Sequence, residues 1–413
     1  MSRVQPPDAC PAPIRLVLIT TVPQSLFFFT GQVGYLQAHG FEVHAVAAPG
    51  KSLETFAVQE YVVAHAVEMT RQITPRHDLL ALVRLWRLLH KLRPQIVQAG
   101  TPKGGLLGII SAWLAGVPVR VYQIHGLPMM TATGRKRIIL RWSERIACAL
   151  ADQVLCVSHS IREVAIAERL CPADKITVLL GGSVNGIDTE KKFNPQQMPA
   201  CLRDQIRAHW GIPSNALVVG YVGRIVRDKG ITELAEAWKL LREEFPLLHL
   251  LVVGPLEPQD PVPSEVIALL ETDPRVHLTG WMSDLPPLYA AMDIVALPTY
   301  REGFPVTPLE AAAMALPIVA TRIPGCVDAV QDGVTGTLVP PCSAGALADA
   351  LRAYLHDPAL RQRHGSAARG RAQRDFQQQA IWEAVRQEHQ RLLTRACCPN
   401  DRVVNTMVED PAD

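Results

Sequence analysis

The sequence predicts an α/β protein built from two Rossmann-like domains. Three observations carry that expectation. Short apolar runs alternate with amphipathic segments along most of the chain, the pattern of a doubly wound sheet. The alternation stops once, at Gly181-Gly182-Ser183-Val184-Asn185-Gly186-Ile187-Asp188, and then restarts. The chain has 413 residues, too many for one ordinary core, so two domains of roughly 180–200 residues are the natural division.

In order, residues 1–13, with Pro6, Pro7, Pro11 and Pro13, read as a disordered leader. Over 14–188, strands are predicted at 14–19, 43–47, 96–98, 119–123, 153–157 and 176–179. Helices are predicted near 26–39, 79–92, 106–115, 136–149 and 160–169. Over 189–375, strands are predicted at 217–222, 248–253, 276–278, 294–297, 318–320 and 336–339. Helices are predicted near 232–244, 264–270, 287–291, 308–315 and 344–355. An amphipathic helix over 376–395 closes the structured part, followed by a tail over 396–413 that is expected to be disordered.

Composition excludes several classes. Lys+Arg 41 against Asp+Glu 39 gives no support for nucleic-acid binding, and 48% hydrophobic residues suit a globular protein with an ample core. The nine cysteines show neither CxxC pairs nor metal-ligand spacing, which favours free thiols in a reducing, cytoplasmic compartment. Neither a signal peptide nor a membrane span is expected. The uncharged run 16–41 is broken by Thr20, Thr21, Pro23, Gln24 and Ser25, and 104–119 is short and bounded by Lys103 and Arg120.

The most informative stretch is 293–320. An apolar strand leads into Thr299-Tyr300-Arg301-Glu302-Gly303-Phe304-Pro305-Val306. Thr307 is then expected as helix N-cap, Pro308 at the first helical position and Glu310 three residues after the cap. Such a helix start presents free N–H groups to an anion such as a diphosphate. Carboxylates beside it suit the paired hydroxyls of a sugar or ribose, so Glu302 and Glu310 fit a nucleotide-sugar pocket. The alternative for Glu310 is a plain capping box.

Gly223-Arg224-Ile225-Val226-Arg227-Asp228-Lys229-Gly230 follows another strand and brings two cations to its end. Fixed cations there would stabilise charge growing on a leaving diphosphate; the alternative is a pair of surface charges on a turn. His125 ends a strand before Gly126, either as a site residue or as a structural histidine. Ser25 caps a helix in this reading. Thr101-Pro102-Lys103-Gly104-Gly105 marks another strand end, where a plain helix start competes with a binding role. Two basic amphipathic segments, one with Arg84, Trp86, Arg87, Lys91 and Arg93, the other with Arg135, Lys136, Arg137, Arg141 and Trp142, suit either ordinary packing or contact with an anionic membrane.

REGFPVTPLEAAAMALPIVAT resembles the signature of the family-four retaining glycosyltransferases, two glutamates separated by seven residues in an "EG-F-P…-E-A" frame. The match departs at Ala315, where a glycine is usual, a change expected to matter little. The "G-R-…-K-G" element covers Gly223, Arg224, Lys229 and Gly230, His125-Gly126 matches an "HG" element, and Thr101-Pro102-Lys103 resembles a "TPK-G" element of the capsule and exopolysaccharide subgroup. The resemblance spans 14–393, specific in the second half and looser in the first, where a glycine pair usual after the first strand is absent.

The resemblance implies the GT-B architecture, two facing domains with the active site in the cleft and the last helix crossing back. It implies that Glu302 holds the donor sugar, Glu310 the ribose, Arg224 and Lys229 the diphosphate, and that His125 lies against the sugar. Gly303, Phe304, Val306 and Thr307 would line the donor with backbone N–H groups. Ser25, Thr101 and Lys103 are acceptor-side candidates. The expected reaction is metal-independent, cofactor-free, retaining transfer from a nucleotide-diphosphate sugar. The expected donor is a UDP-hexose or UDP-N-acetylhexosamine. A lipid-linked or glycan acceptor is expected, at the inner face of the plasma membrane. Two readings compete with it: an isomerase like the non-hydrolysing UDP-N-acetylglucosamine 2-epimerases, which lack the REGFPVTPLE frame, and a sugar-nucleotide-binding subunit without activity of its own.

Overall fold

The computed structural model describes residues 12–257 and 260–397. The leader up to residue 11 and the tail from residue 398 lie outside the described residues.

The first sheet contains β1 (Ile14–Ile19), β2 (Phe41–Ala47), β3 (Val63–Ala66), β4 (Ile96–Gly100), β5 (Val119–Ile124), β6 (Gln153–Cys156) and β7 (Ile176–Thr177). The second contains β8 (Leu217–Val222), β9 (Leu248–Val253), β10 (Val276–Gly280), β11 (Ile294–Leu297), β12 (Ile318–Thr321) and β13 (Gly336–Val339). Their orders are β3-β2-β1-β4-β5-β6-β7 and β10-β9-β8-β11-β12-β13. Each order reverses once, between β1 and β4 and between β8 and β11. The carboxyl ends of strands at such a reversal form a ligand crevice.

Strands β8, β9, β11 and β12 of the second sheet are buried on both faces, which is why they read as continuous apolar runs. Val218, Val222, Leu251, Val253, Val295, Leu297, Ile318 and Ala320 pack into one core. Their neighbours Val219, Tyr221, Leu250, Val252, Ile294, Ala296 and Val319 pack into another, on the opposite face.

The described chain divides into two compact units. One draws on 12–123, 143–154 and 382–397, the other on 124–142 and 155–381. The expected border at 188/189 therefore falls inside the second unit, because the chain leaving β5 and β6 packs with the loops of the second sheet. The last helix, Gln378–Cys397, counts with the first unit from Trp382 onward. There His389 Nε2 lies 2.8 Å from Gln98 Oε1, Gln98 donates to Gln123 Oε1 at 2.6 Å, and Tyr35 donates to Glu383 at 2.7 Å.

Several elements differ from the sequence expectation. The helix expected over 26–39 is two pieces, a 3₁₀ turn Pro23–Phe29 and a helix Gln32–Ala38. They part at Gly31, whose φ of 77° and contact with the Trp382 ring leave no room for a Cβ. Helix Lys51–Glu60 and β3 were not expected, nor were Leu202–His209, Cys326–Ala329 and Pro358–Asp375. The last of these carries no apolar stripe. Its Arg369 donates to Asn194 Oδ1 at 2.9 Å and Arg371 to Ala329 O at 2.7 Å, so arginines rather than leucines attach it.

Helix Val306–Ala313 ends in a Schellman motif. Leu316 N–H donates to Ala311 O at 2.9 Å and Ala315 N–H to Ala312 O at 3.0 Å. Ala315 occupies the left-handed position with φ 56°, where glycine is favoured. The departure from the motif at this residue therefore carries a local backbone strain.

Candidate active site

The chain leaving β8 and the chain leaving β11 meet at the reversal of the second sheet, and three straps hold them together. Asp228 O accepts from Tyr300 N–H at 2.9 Å and from Thr299 Oγ1 at 3.1 Å, while the Asp228 carboxylate pairs with Arg301 at 2.8 Å. Gly230, at φ 70°, lets the turn close, since a Cβ there would lie 1.9 Å from Pro298 O. These straps bring Lys229 Nζ onto Glu302 Oε1 as an ion pair, with side chains only 20% and 11% exposed. Sheltered from water, the pair interacts far more strongly than a surface one.

The loop after Glu302 is gripped through its backbone. A Cβ on Gly303 would lie 1.8 Å from His125 O, and one on Gly325 2.5 Å from Gly303 O. Ser158 Oγ donates to Gly303 O at 2.8 Å. Only glycine fits where main chain meets main chain this closely. His125 thus reaches the site first through its carbonyl. Burial pushes its imidazole down to about 4, so the ring is neutral at physiological pH.

Helix Val306–Ala313 begins two residues earlier than expected. Pro305 is the N-cap and provides no side-chain cap, so Thr307 is inside the helix and not its cap. Thr307 Oγ1 instead donates to Val222 O at 3.0 Å, which fixes the helix start beside Gly223. The capping-box alternative for Glu310 falls with it. The Glu310 carboxylate accepts from Tyr289 OH at 2.7 Å. Burial holds that carboxyl above its usual value, and the tyrosine bond opposes the shift. Phe304 is buried against Phe376, ring centroids 5.4 Å apart, and Val306 is exposed at the helix start.

Arg224 is not drawn into this group. It pairs with Glu257 at 2.7 Å and is half exposed, while Tyr221 OH bonds its carbonyl at 2.8 Å. The acceptor-side candidates lie in the other unit. Thr101 Oγ1 accepts from Thr21 N–H at 3.0 Å and lies 2.7 Å from Thr21 Oγ1 at the reversal of the first sheet. Lys103 pairs with Asp78 at 2.6 Å and also bonds Thr70, Gln72 and Thr74, so its charge is committed to holding that segment. Ser25 sits within the 3₁₀ turn Pro23–Phe29 and caps nothing; the turn's cap position is Val22.

Tyr289, Ser158, Asp228 and Gly325 join the candidate site through these contacts, and the sequence reading gave them no role. Ser158 precedes the 160–169 helix as an obvious cap candidate, a signal that could have found it, but its second bond reaches across the fold. Tyr289 sits among apolar neighbours and offers no local signal at all. Among the described residues no group of three His, Cys, Asp or Glu gathers as a metal site.

Two Rossmann-like domains, with a lysine–glutamate pair and an uncapped helix start at a sheet reversal, define a glycosyltransferase of the GT-B class. Comparison with known proteins agrees. Residues 203–371 match the model of the glycosyl transferases group 1 family, and 31–191 match that of Glycosyltransferase Family 4. The capsular polysaccharide biosynthesis glycosyltransferase CapM of Staphylococcus aureus is 34% identical over 372 residues, covering 90% of this chain and 95% of that protein. A UDP-Gal:alpha-D-GlcNAc-diphosphoundecaprenol alpha-1,3-galactosyltransferase of Escherichia coli is 30% identical, covering 71% and 74%. In fold, Anabaena HepE, solved in complex with UDP and glucose, superposes with a TM-score of 0.76 at 19% identity, covering 92% of this chain and 100% of that one. The chain belongs to the family-four glycosyltransferases. The isomerase reading loses its ground with that membership.

Proposed function

We propose that the protein transfers a hexosyl or N-acetylhexosaminyl group from a UDP-sugar, with retention of configuration, to a lipid-linked or polysaccharide acceptor of a cell-surface glycan. The observation that carries this reading is the sheltered Lys229–Glu302 pair between the ends of β8 and β11. An arriving diphosphate competes with Glu302 for the Lys229 ammonium. Release of the carboxylate leaves it able to accept from the sugar hydroxyls, so binding the donor rearranges the pair into two separate contacts. Lys229 and the start of helix Val306–Ala313 then offset the charge that develops on the leaving UDP, joined by Arg224 once the diphosphate draws it from Glu257. Glu310 takes the ribose, and neutral His125 lies against the sugar as a positioning group. The E. coli relative's UDP-linked donor and undecaprenol-linked acceptor support the substrate classes.

Peripheral contact with an anionic membrane completes the reading. Helix Gly134–Leu150 exposes Ile138, Ile139, Trp142 and Ile146 beside Arg135 and Lys136. Among the described residues no helix is long and apolar enough to cross a membrane.

The test is UDP or GDP release from a panel of nucleotide sugars, with and without polyprenyl-diphosphate-linked acceptors, in EDTA. Release specific to one UDP-sugar, dependent on the lipid and indifferent to EDTA, is expected, with the donor's anomeric configuration kept in the product by NMR. Lys229→Ala and Glu302→Ala should each lower turnover by about 100-fold or more in a protein that still folds, with a melting temperature lowered by the loss of the pair. Near-normal turnover in either variant removes that residue from the reaction. Sedimentation with phosphatidylglycerol vesicles tests the membrane contact, and W142E should weaken it several-fold if the exposed face inserts.

A further inference from the structure

Ser158 lies where β6 gives way to helix His159–Ala167, with no exposure to solvent. Its hydroxyl is used twice. It accepts from Ile161 N–H at 3.4 Å as the helix N-cap, and it donates its only proton to Gly303 O at 2.8 Å, between residues 145 positions apart. The N-cap alone would not require that second bond.

The bond falls on a particular peptide. The carbonyl of Gly303 and the N–H of Phe304 belong to one planar trans unit and point in opposite directions. Holding the carbonyl therefore aims the N–H. The same carbonyl is hemmed on its other side by Gly325. Gly325 N–H donates to Ser160 Oγ at 2.7 Å, Ser160 Oγ bonds Asp328, and Asp328 accepts from His159 N–H at 3.1 Å. One short segment, Ser158 to Ser160, thus fixes both the loop that follows Glu302 and the turn that backs it.

We infer that Ser158 is a positioning residue for the transfer reaction: its hydroxyl holds the Gly303–Phe304 peptide so that the Phe304 N–H and the Glu302 carboxylate both face the donor. It acts through the backbone and touches no substrate itself. The inference rests on the reading that this loop contacts the donor, and it adds the group that sets the loop's orientation.

The experiment compares Ser158→Ala, Ser158→Thr and wild type for kcat and KM towards the UDP-sugar and towards the acceptor, with melting temperature recorded alongside. Ser158→Ala should lose ~10-fold in kcat/KM for the donor, the scale of one hydrogen bond. The KM for acceptor should stay unchanged, and Ser158→Thr, which keeps the hydroxyl, should stay within about threefold of wild type. Should Ser158→Ala fail to fold, Ser158→Gly removes the same hydroxyl at small cost to the cap and takes its place. Donor kcat/KM within twofold of wild type in the hydroxyl-free variant overturns the proposal. So does an equal loss in the alanine and threonine variants that tracks melting temperature. Lys229→Ala run in parallel separates the outcomes: if it too is active, the reading of the loop has failed rather than the role of Ser158.

Discussion

Tyr289 gives its proton to Glu310 at 2.7 Å and, being fully buried, has no exchange with water to dilute the bond. That bond is one of the influences on how Glu310 titrates. Burial, the largest, raises the carboxyl, and the tyrosine bond and the Lys192 charge oppose it, so the bond favours the ionised form that the proposed ribose contact needs. Tyr289→Phe removes a lowering influence, which raises the carboxyl further. The acidic limb of kcat/KM for the donor should then move to higher pH. A pH profile that superposes on wild type would show that Glu310 does not bind the donor as carboxylate. Glu302 and Lys229 were legible in the sequence because each follows a strand in a loop of recognisable spacing. Tyr289 and Ser158 were not, because their roles lie in bonds between residues remote in sequence.

At the scale of elements, the helix Val306–Ala313 joins a functional start to a strained end. The Schellman bonds oblige residue 315 to be left-handed, and a Cβ there costs about 1 kcal/mol relative to glycine. Ala315→Gly should therefore raise the melting temperature by roughly 2 °C. Activity should be unchanged, because the helix start is held separately by Thr307 on Val222 O. An unchanged or lower melting temperature would mean the strain is relieved elsewhere. Strands of the second sheet were the most readable elements; β8, β9, β11 and β13 begin and end where the apolar runs do. Two-sided burial demands such runs. Helix Pro358–Asp375 was hidden because arginine bonds to distant backbone attach it, and the break at Gly31 was hidden because the Trp382 ring that packs on it is remote in sequence.

Across the whole molecule, buried histidines set the response to acid. His125, His249 and His389 are each pushed from 6.5 down to about 4 by burial. A base whose folded value is depressed contributes stability above 6.5 and loses it as pH falls towards 4, since the unfolded chain takes up the proton first. Glu144, raised by burial from 4.5 to about 7, works in the opposite sense over much of that window. The shifts are of similar size, and three outweigh one. Burial also lowers His65, His277 and His364 and raises Glu60 and Glu310, two sets that act in opposite senses. The melting temperature should fall steadily between pH 6.5 and 4 in scanning calorimetry. A flat profile there would mean these imidazoles gain water or partners in solution.

The helix Gln378–Cys397 bears on how the protein is made. His389 meets Gln98 across 291 positions of sequence, and both are buried beside Gln123. A ribosome working at 5–20 residues per second needs roughly 15–60 s to travel that distance. Through that interval the nascent first unit lacks the helix that covers its strands, while the second unit is completed behind it. The half of the protein translated first is thus finished last.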